Sequence, residues 1–194
     1  MLDKIFNIII QDHIKPYLNK KISVATEDRV IMGNISHAGE ADGDKLKNKV
    51  IMSLVNIEED RISRPVDKFN RQNGQVKFTN PPIFLNLYIL FAANFDEGDD
   101  GKGYANALQL ISYIIQFFQF QNVFSPANSP RLPDTVQELI FDLDTLSFQD
   151  LNNLWGILGS KYLPSVLYKV RLVSLSEDFS EGDVPLLHEI QIND

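Results

Sequence analysis

The sequence predicts a single α/β domain with a mixed β-sheet of about five strands, flanked by about three helices and followed by an extended C-terminal arm. Three observations support this fold class. A strand that is apolar on both faces lies near the middle of the chain, helical and strand patterns alternate around it, and the composition changes after Leu175. The 194 residues suffice to bury one core of ordinary size. We therefore predict a domain over residues 1–175 and an acidic hinge with an extended arm over residues 176–194.

The elements before the central strand are one helix and two strands. Apolar residues at helical spacing predict a helix over Asp3–Leu18, whose last turn is limited by Pro16. Strands are predicted over Arg29–Ile35 and Lys49–Ile57, joined by a loop that contains Gly and Asp. Residues 61–79 are polar and predict irregular structure.

The central strand is predicted within Asn80–Asn94, NPPIFLNLYILFAAN. Its alternate residues form two apolar faces, Ile83, Leu85, Leu87, Ile89 and Phe91 on one and Phe84, Tyr88, Leu90 and Ala92 on the other. Because side chains alternate across a strand, both faces of the sheet should be covered at this position. Two prolines, Pro81 and Pro82, lack an amide donor and mark the point where strand pairing begins.

The longest predicted helix covers Tyr104–Phe120. Its apolar stripe consists of Tyr104, Ala107, Leu108, Ile111, Ile114, Ile115 and Phe118. Phe117 and Phe120 widen this stripe beyond what a solvent-facing helix needs, so the helix is either deeply packed or in contact with a partner.

The remaining elements are a strand over Val136–Asp142, a short helix and a last strand over Ser165–Leu175. The short helix has a capping box at Ser147 and a Gly that can end it in a left-handed turn, Gly159. Trp155 lies on this helix among leucines, which favours a core anchor over a ligand platform. The last strand has Lys and Arg on one face, so this face is either solvated or part of an interface.

Charge and composition exclude several classes of function. A formal net charge of -8 disfavours nucleic-acid binding, which depends on Lys and Arg contacts with phosphates. The absence of cysteine removes disulfides, thiolate metal sites and cysteine nucleophiles, and is compatible with a reducing compartment. The longest early apolar run, Ile8–Ile10, is too short to cross a bilayer, so we expect neither a signal peptide nor a membrane anchor.

Two short motifs resemble ligand-binding loops but lack essential residues. The acidic turn Asp96–Gly101 would require a Glu at the twelfth position of a calcium loop, where the chain has Ala107. The GKG at Gly101–Gly103 lacks the upstream Gly and the following Ser or Thr of a phosphate loop. A solvated turn is the favoured interpretation of this region.

The titratable residues form no catalytic pattern. His13, His37 and His188 do not have the spacing of a metal-binding pair. Asp142 and Asp144 are two residues apart, so on a strand both side chains would point to the same face. At a strand end, however, they are more typical of a solvated turn than of a carboxylate pair. We therefore predict no enzyme, no catalytic residue, no metal ligand and no cofactor.

Four long blocks carry a resemblance to a known family. They are VIMSLVNIEEDR, NPPIFLNLYILFAANF, ALQLISYIIQFFQFQNVF and LNNLWGILGSKYLPSVLYKVRLV. Together they resemble the domain shared by the cap, or tail-terminator, proteins of phage-tail-like contractile injection systems of the antifeeding-prophage and Photorhabdus virulence cassette type. None of the blocks is an active-site signature, and the loops 36–48 and 61–79 and the arm lie outside the resemblance.

The resemblance implies a structural protein. Such a cap forms a six-fold ring on the end of tube and sheath distal to the baseplate, where it ends polymerisation and anchors the sheath. It implies assembly in the cytoplasm, release within an extracellular particle, homo-oligomerisation, and contact with tube and sheath proteins but not with nucleic acid or membrane. The alternative is a non-catalytic adaptor or regulatory binding domain of the same fold outside such a particle.

Two groups of residues are predicted to bind partners. The possible ring interface comprises Tyr113, Phe117, Phe120, Lys169 and Arg171. The arm has the alternation of a strand with one apolar face, which can join the edge of a neighbouring sheet, here that of a sheath subunit. Its partner-binding residues are Val184, Pro185, Leu186, Leu187, His188, Ile190 and Ile192. The arm could instead fold back on its own domain.

Overall fold

A mixed six-stranded sheet with helices on both faces forms the domain. The computed structural model describes residues 1–22, 28–39, 45–60, 69–72, 75–78, 83–96 and 101–175, of which 39, 69–72, 75–78 and 173–175 are described by their backbone alone. The strands are β1 (Val30–Met32), β2 (Lys49–Glu59), β3 (Phe69–Gln72), β4 (Gln75–Phe78), β5 (Ile83–Asn94), β6 (Val123–Phe124), β7 (Glu138–Asp144) and β8 (Ser165–Leu175). The helices are α1 (Leu2–Ile8), α2 (Lys15–Lys21), α3 (Gly103–Phe120) and α4 (Phe148–Leu158). This architecture confirms the α/β fold class.

The apolar strand β5 lies inside the sheet, whose order is β1-β2-β5-β8-β7-β6. It pairs antiparallel with β2 on one side and with β8 on the other, while β1 runs parallel to β2. The buried residues of β5 alternate between two separate core clusters, one on each face of the sheet. The central position predicted from its two apolar faces is thus confirmed.

The first face of the sheet carries the larger core. Helix α3 and the N-terminal helices pack there against β5, β7 and β8. An aromatic cluster fills the space under α3, and the Phe118 and Phe141 rings stack in it at 4.5 Å and 16°. Tyr168 lies 4.6 Å from the Phe118 ring, so β8 contributes to the same cluster.

The second face carries a smaller core under α4. Trp155 packs there with Leu90, Ala92 and Leu167, and only 6% of its surface is exposed. Its predicted role as a core anchor is therefore confirmed. Helix α4 begins as predicted, since the Ser147 Oγ accepts a hydrogen bond from the Asp150 N–H at 3.1 Å.

The N-terminal helix differs from its prediction. Helices α1 and α2 are joined without interruption by a π-helical segment, Ile9–Ile14, and the helical run continues to Lys21 instead of ending near Leu18. Pro16 directly follows the π-helical segment, and the backbone stays helical on both sides of it, so Pro16 does not end the helix.

Two strand features were absent from the prediction. A two-stranded sheet of β3 and β4 lies within residues 61–79, which we predicted to be irregular. The sheet also gains β6, which pairs over only two residues, Val123 with Ile140 and Phe124 with Leu139. The arm, residues 176–194, lies outside the described residues.

Candidate interaction surface

Helix α3 carries an exposed surface without any charge. Its sequence, GYANALQLISYIIQFFQF, contains no acidic or basic residue. Four of its large apolar side chains are exposed, namely Tyr104, Leu108, Ile115 and Phe120. Protein interfaces are depleted in charged residues and enriched in aromatic ones, so this helix has the composition of a contact surface.

The predicted apolar stripe of α3 is shifted relative to the observed one. The buried residues are Gly103, Ala107, Leu110, Ile111, Ile114, Phe117 and Phe118. Phe117 is only 2% exposed and contacts Tyr17 and Phe124 inside the core, so its prediction as a ring-interface residue is wrong. Phe120, by contrast, is 82% exposed. Tyr113 is half-buried, and its hydroxyl accepts a hydrogen bond from the Gln109 amide at 3.1 Å.

A groove of about 510 Å³ runs between α3 and the ends of β7 and β8. It is lined by Ile115, Phe118, Gln119, Asn122, Phe141, Asp142, Leu143 and Tyr168. Burial raises the pKa of Tyr168 to about 12, so this floor residue stays uncharged at physiological pH. Leu143, on the rim, is 55% exposed. The groove therefore offers an aromatic, uncharged floor to an apolar side chain.

The groove is open on its outer side. Within the described part of the chain, β6 pairs only with Leu139 and Ile140 of β7, so the rest of β7 through Asp144 has a strand on one side only. Asp142 and Asp144 both lie inside this strand, not in a turn after it as we predicted.

The predicted interface residues on β8 lie on the opposite face of the sheet from α3. The Arg171 Nη2 forms an ion pair with the Asp142 Oδ2 at 2.9 Å. The Lys169 Nζ lies 5.7 Å from the centre of the Tyr88 ring. The Tyr88 hydroxyl donates to the Glu58 Oε2 at 2.8 Å, and this bond raises the pKa of Tyr88. These cross-strand contacts form a polar surface, and surface pairs of this kind add little stability.

A serine–histidine pair was not foreseen from the sequence. The Ser129 Oγ and the His13 Nε2 are 2.7 Å apart, and burial lowers the pKa of His13. Burial thus favours the neutral ring, which shares a hydrogen bond with the Ser129 hydroxyl. Ser129 is only 2% exposed, so it has no access to a substrate, and the pair ties the N-terminal helix to the segment before β7. More than 100 residues separate the two, so no local spacing could have revealed them.

The described residues contain no group of three or more His, Asp or Glu side chains that could hold a metal ion. The acidic turn at 97–100 and His188 lie outside them. None of the helices within the described ranges is both long and apolar enough to cross a bilayer. The arm residues Val184–Ile192 are likewise not described, so their role stays a prediction.

Comparisons with known proteins identify related families and folds. The model of the Pvc16 N-terminal domain family matches residues 9–189. The cryo-EM structure of the anti-feeding prophage cap, a tube-terminating cap, is similar with a TM-score of 0.54 and 15% identity, over 93% of this chain and 60% of that chain. The sheath/tube terminator of the PVC extracellular contractile injection system, in its extended state, has a TM-score of 0.45 and 14% identity, over 93% and 62% of the two chains.

The chain thus spans about 60% of the length of the solved caps that it matches. No curated protein sequence matches it. At 15% identity, the similarity to the anti-feeding prophage cap shows a shared fold.

Proposed function

Because the chain belongs to the Pvc16 N-terminal domain family, as its resemblance to tail terminators implied, we propose that it is a structural cap of a contractile injection system. The observation that carries this proposal is the family match over residues 9–189, which covers nearly the whole described domain. The fold shared with the tube-terminating cap of the anti-feeding prophage supports it. In this role the protein ends polymerisation at the end of tube and sheath distal to the baseplate and anchors the sheath there.

The proposed assembly is a ring of six copies that contacts tube and sheath proteins. A head-to-tail ring requires two different patches on each subunit. Tyr113 and Phe120 lie on the α3 side of the sheet and Lys169 and Arg171 on the other side, so the predicted interface residues supply two separated patches. The role is non-catalytic and needs no cofactor, nucleic acid or membrane.

The proposed division of labour places the ring-forming surfaces in residues 1–175 and sheath attachment in the arm, residues 176–194. The alternation of Val184–Ile192 supports strand addition to the last sheath ring. The particle is assembled in the cytoplasm and then released.

The experiment is a gene deletion in the native host followed by cryo-EM of the particles. We expect the deletion strain to produce sheaths with frayed, uncapped ends or irregular lengths, and wild-type particles to carry six copies at the end distal to the baseplate. A monomer or a two-fold dimer at this position in a well-resolved map would contradict the ring. Particles of normal length and contraction from the deletion strain would contradict the cap function and favour an adaptor outside the particle.

A further inference from the structure

Strands β3 and β4 form a sheet of only two strands that is separate from the main sheet. They pair antiparallel over four residues each, Phe69–Gln72 with Gln75–Phe78. Within the described part of the chain, β4 has no neighbouring strand besides β3, so its second edge is open there. Because an isolated two-stranded hairpin is only marginally stable in water, this small sheet gains most from a third strand.

The order of the strands relates the open edge of β4 to the end of β8. β3 follows β2 along the chain and β4 precedes β5, while in the main sheet β5 lies between β2 and β8. This order favours β4, not β3, as the strand that faces a continuation of β8. The pairing of β5 with β8 ends at Ile83 and Leu175, next to Pro81 and Pro82, which lack the amide donor that a longer ladder needs.

The length of chain on each side of this point places the arm level with β4. Residues 79–82 separate Phe78 from Ile83, so a strand that continues from Leu175 over the same length reaches Phe78 at residue 180. Residues 180–183 then lie antiparallel to β4, and the proline at position 185 limits pairing beyond them. In this register Glu181 is opposite Lys77, and Asp183 is opposite Gln75.

The charges of the two segments are complementary. Residues 68–78 contain three basic residues, Lys68, Arg71 and Lys77, and no acidic one, although the whole chain has a net charge of -8. Residues 176–183 contain four acidic residues and no basic one. Opposite charges that face each other on neighbouring strands stabilise the pairing, and like charges destabilise it. The start of the arm is therefore attracted to this hairpin and repelled by most of an acidic surface.

We propose that residues 180–183 of the arm add to the open edge of β4 of the same chain as a third strand, with Glu181 opposite Lys77. Main-chain hydrogen bonds hold the added strand, and the pair of opposite charges sets its register. The contact fixes the point from which Val184–Ile192 leave the domain. It is a property of the single chain and does not depend on the cap function.

Disulfide formation in the purified full-length chain tests the contact, because the chain has no native cysteine. The variant Gln75→Cys/Asp183→Cys places two thiols at opposite positions of the proposed pair, where a Cα separation of about 4.5–5.5 Å allows a disulfide. The matched control is Gln72→Cys/Asp183→Cys, since Gln72 is the partner of Gln75 on β3 and lies one strand further from the arm. Under mild oxidation the first variant should form a linked monomer at least about tenfold faster than the control, at a rate independent of protein concentration.

Reversal of the charges tests the register. Adding Lys77→Glu to the first variant should slow the linking about threefold, because like charges then face each other, and the further change Glu181→Lys should restore the rate. An unchanged rate in Lys77→Glu would overturn the register. Equal linking of both cysteine pairs, faster linking of the control, no linking, or covalent dimers in place of linked monomers would each overturn the contact. These outcomes leave the cap function untouched, since the deletion strain tests it separately.

Discussion

At the scale of single residues, Trp155 is the best test of the second core. Trp155→Ala leaves a cavity under α4, and we expect a loss of about 3–5 kcal/mol in the free energy of unfolding by urea. Phe148→Ala, on the same helix, changes a residue that is 93% exposed, so its effect should stay within about 0.5 kcal/mol. A loss below about 1 kcal/mol for Trp155→Ala would contradict its role as a buried anchor.

The His13–Ser129 pair makes a prediction about pH. Burial lowers the pKa of His13 in the folded chain below its ordinary value of 6.5, although the neighbouring Asp12 opposes this shift. As pH falls below 6.5, the unfolded chain takes up this proton more readily, so the contribution of His13 to stability is lost. Between about pH 7.5 and about pH 5.5 the thermal midpoint should therefore fall further in wild type than in His13→Gln. Parallel pH profiles of the two proteins would refute this.

At the scale of elements, two glycines at the end of α4 should respond in opposite ways to the same change. Gly159 ends the helix with φ 63°, and nothing lies within 4 Å of an added Cβ there. Gly159→Ala should therefore lower the free energy of unfolding only by the cost of holding alanine in the left-handed conformation, about 1–2 kcal/mol. Gly156, inside the helix, also has free space, so Gly156→Ala should stabilise by up to about 1 kcal/mol. Chemical denaturation of the two variants measures both effects, and equal signs would contradict this account.

The sequence predicted well those elements whose apolar residues recur at regular spacing or whose ends carry clear capping residues. The last strand, Ser165–Leu175, was predicted with its observed bounds, and α4 with its observed caps. β6 could not be predicted, because two residues are too few to show any alternation. The β3–β4 pair lies in a polar stretch, where pairing leaves little hydrophobic signal.

The interaction surface was only partly predictable. The spacing of apolar residues along a helix indicates which side of the helix is buried, but it does not show which residues lie at the edges of that side. A shift of the buried stripe placed Phe117 in the core and left Leu108 and Ile115 exposed. The groove depends on Leu143 and Tyr168, which meet through strand pairing across 25 residues, so no local pattern contains it. Phe120 stood out in the sequence because it made the apolar stripe of this helix wider than one buried face requires.

At the scale of the whole molecule, the arm should be separable from folding. Residues 176–183, SEDFSEGD, carry four acidic residues and little apolar surface, so we expect them to contribute little to stability. Truncation after Leu175 should leave the thermal midpoint within about two degrees of the full chain and yield particles with frayed or uncapped sheath ends. A much lower midpoint, or normally capped particles, would contradict the proposed role of the arm.

The position of β5 between β2 and β8 also constrains the order of folding during synthesis. β2 leaves the ribosome before β5, but β8, its other neighbour, follows only after α3, β7 and α4. Until Ser165–Leu175 has been made, one edge of an apolar strand remains unpaired, and such nascent chains are prone to aggregate. Tyr168, in the floor of the groove, arrives with the same segment. The groove is therefore incomplete until the last strand has been synthesised.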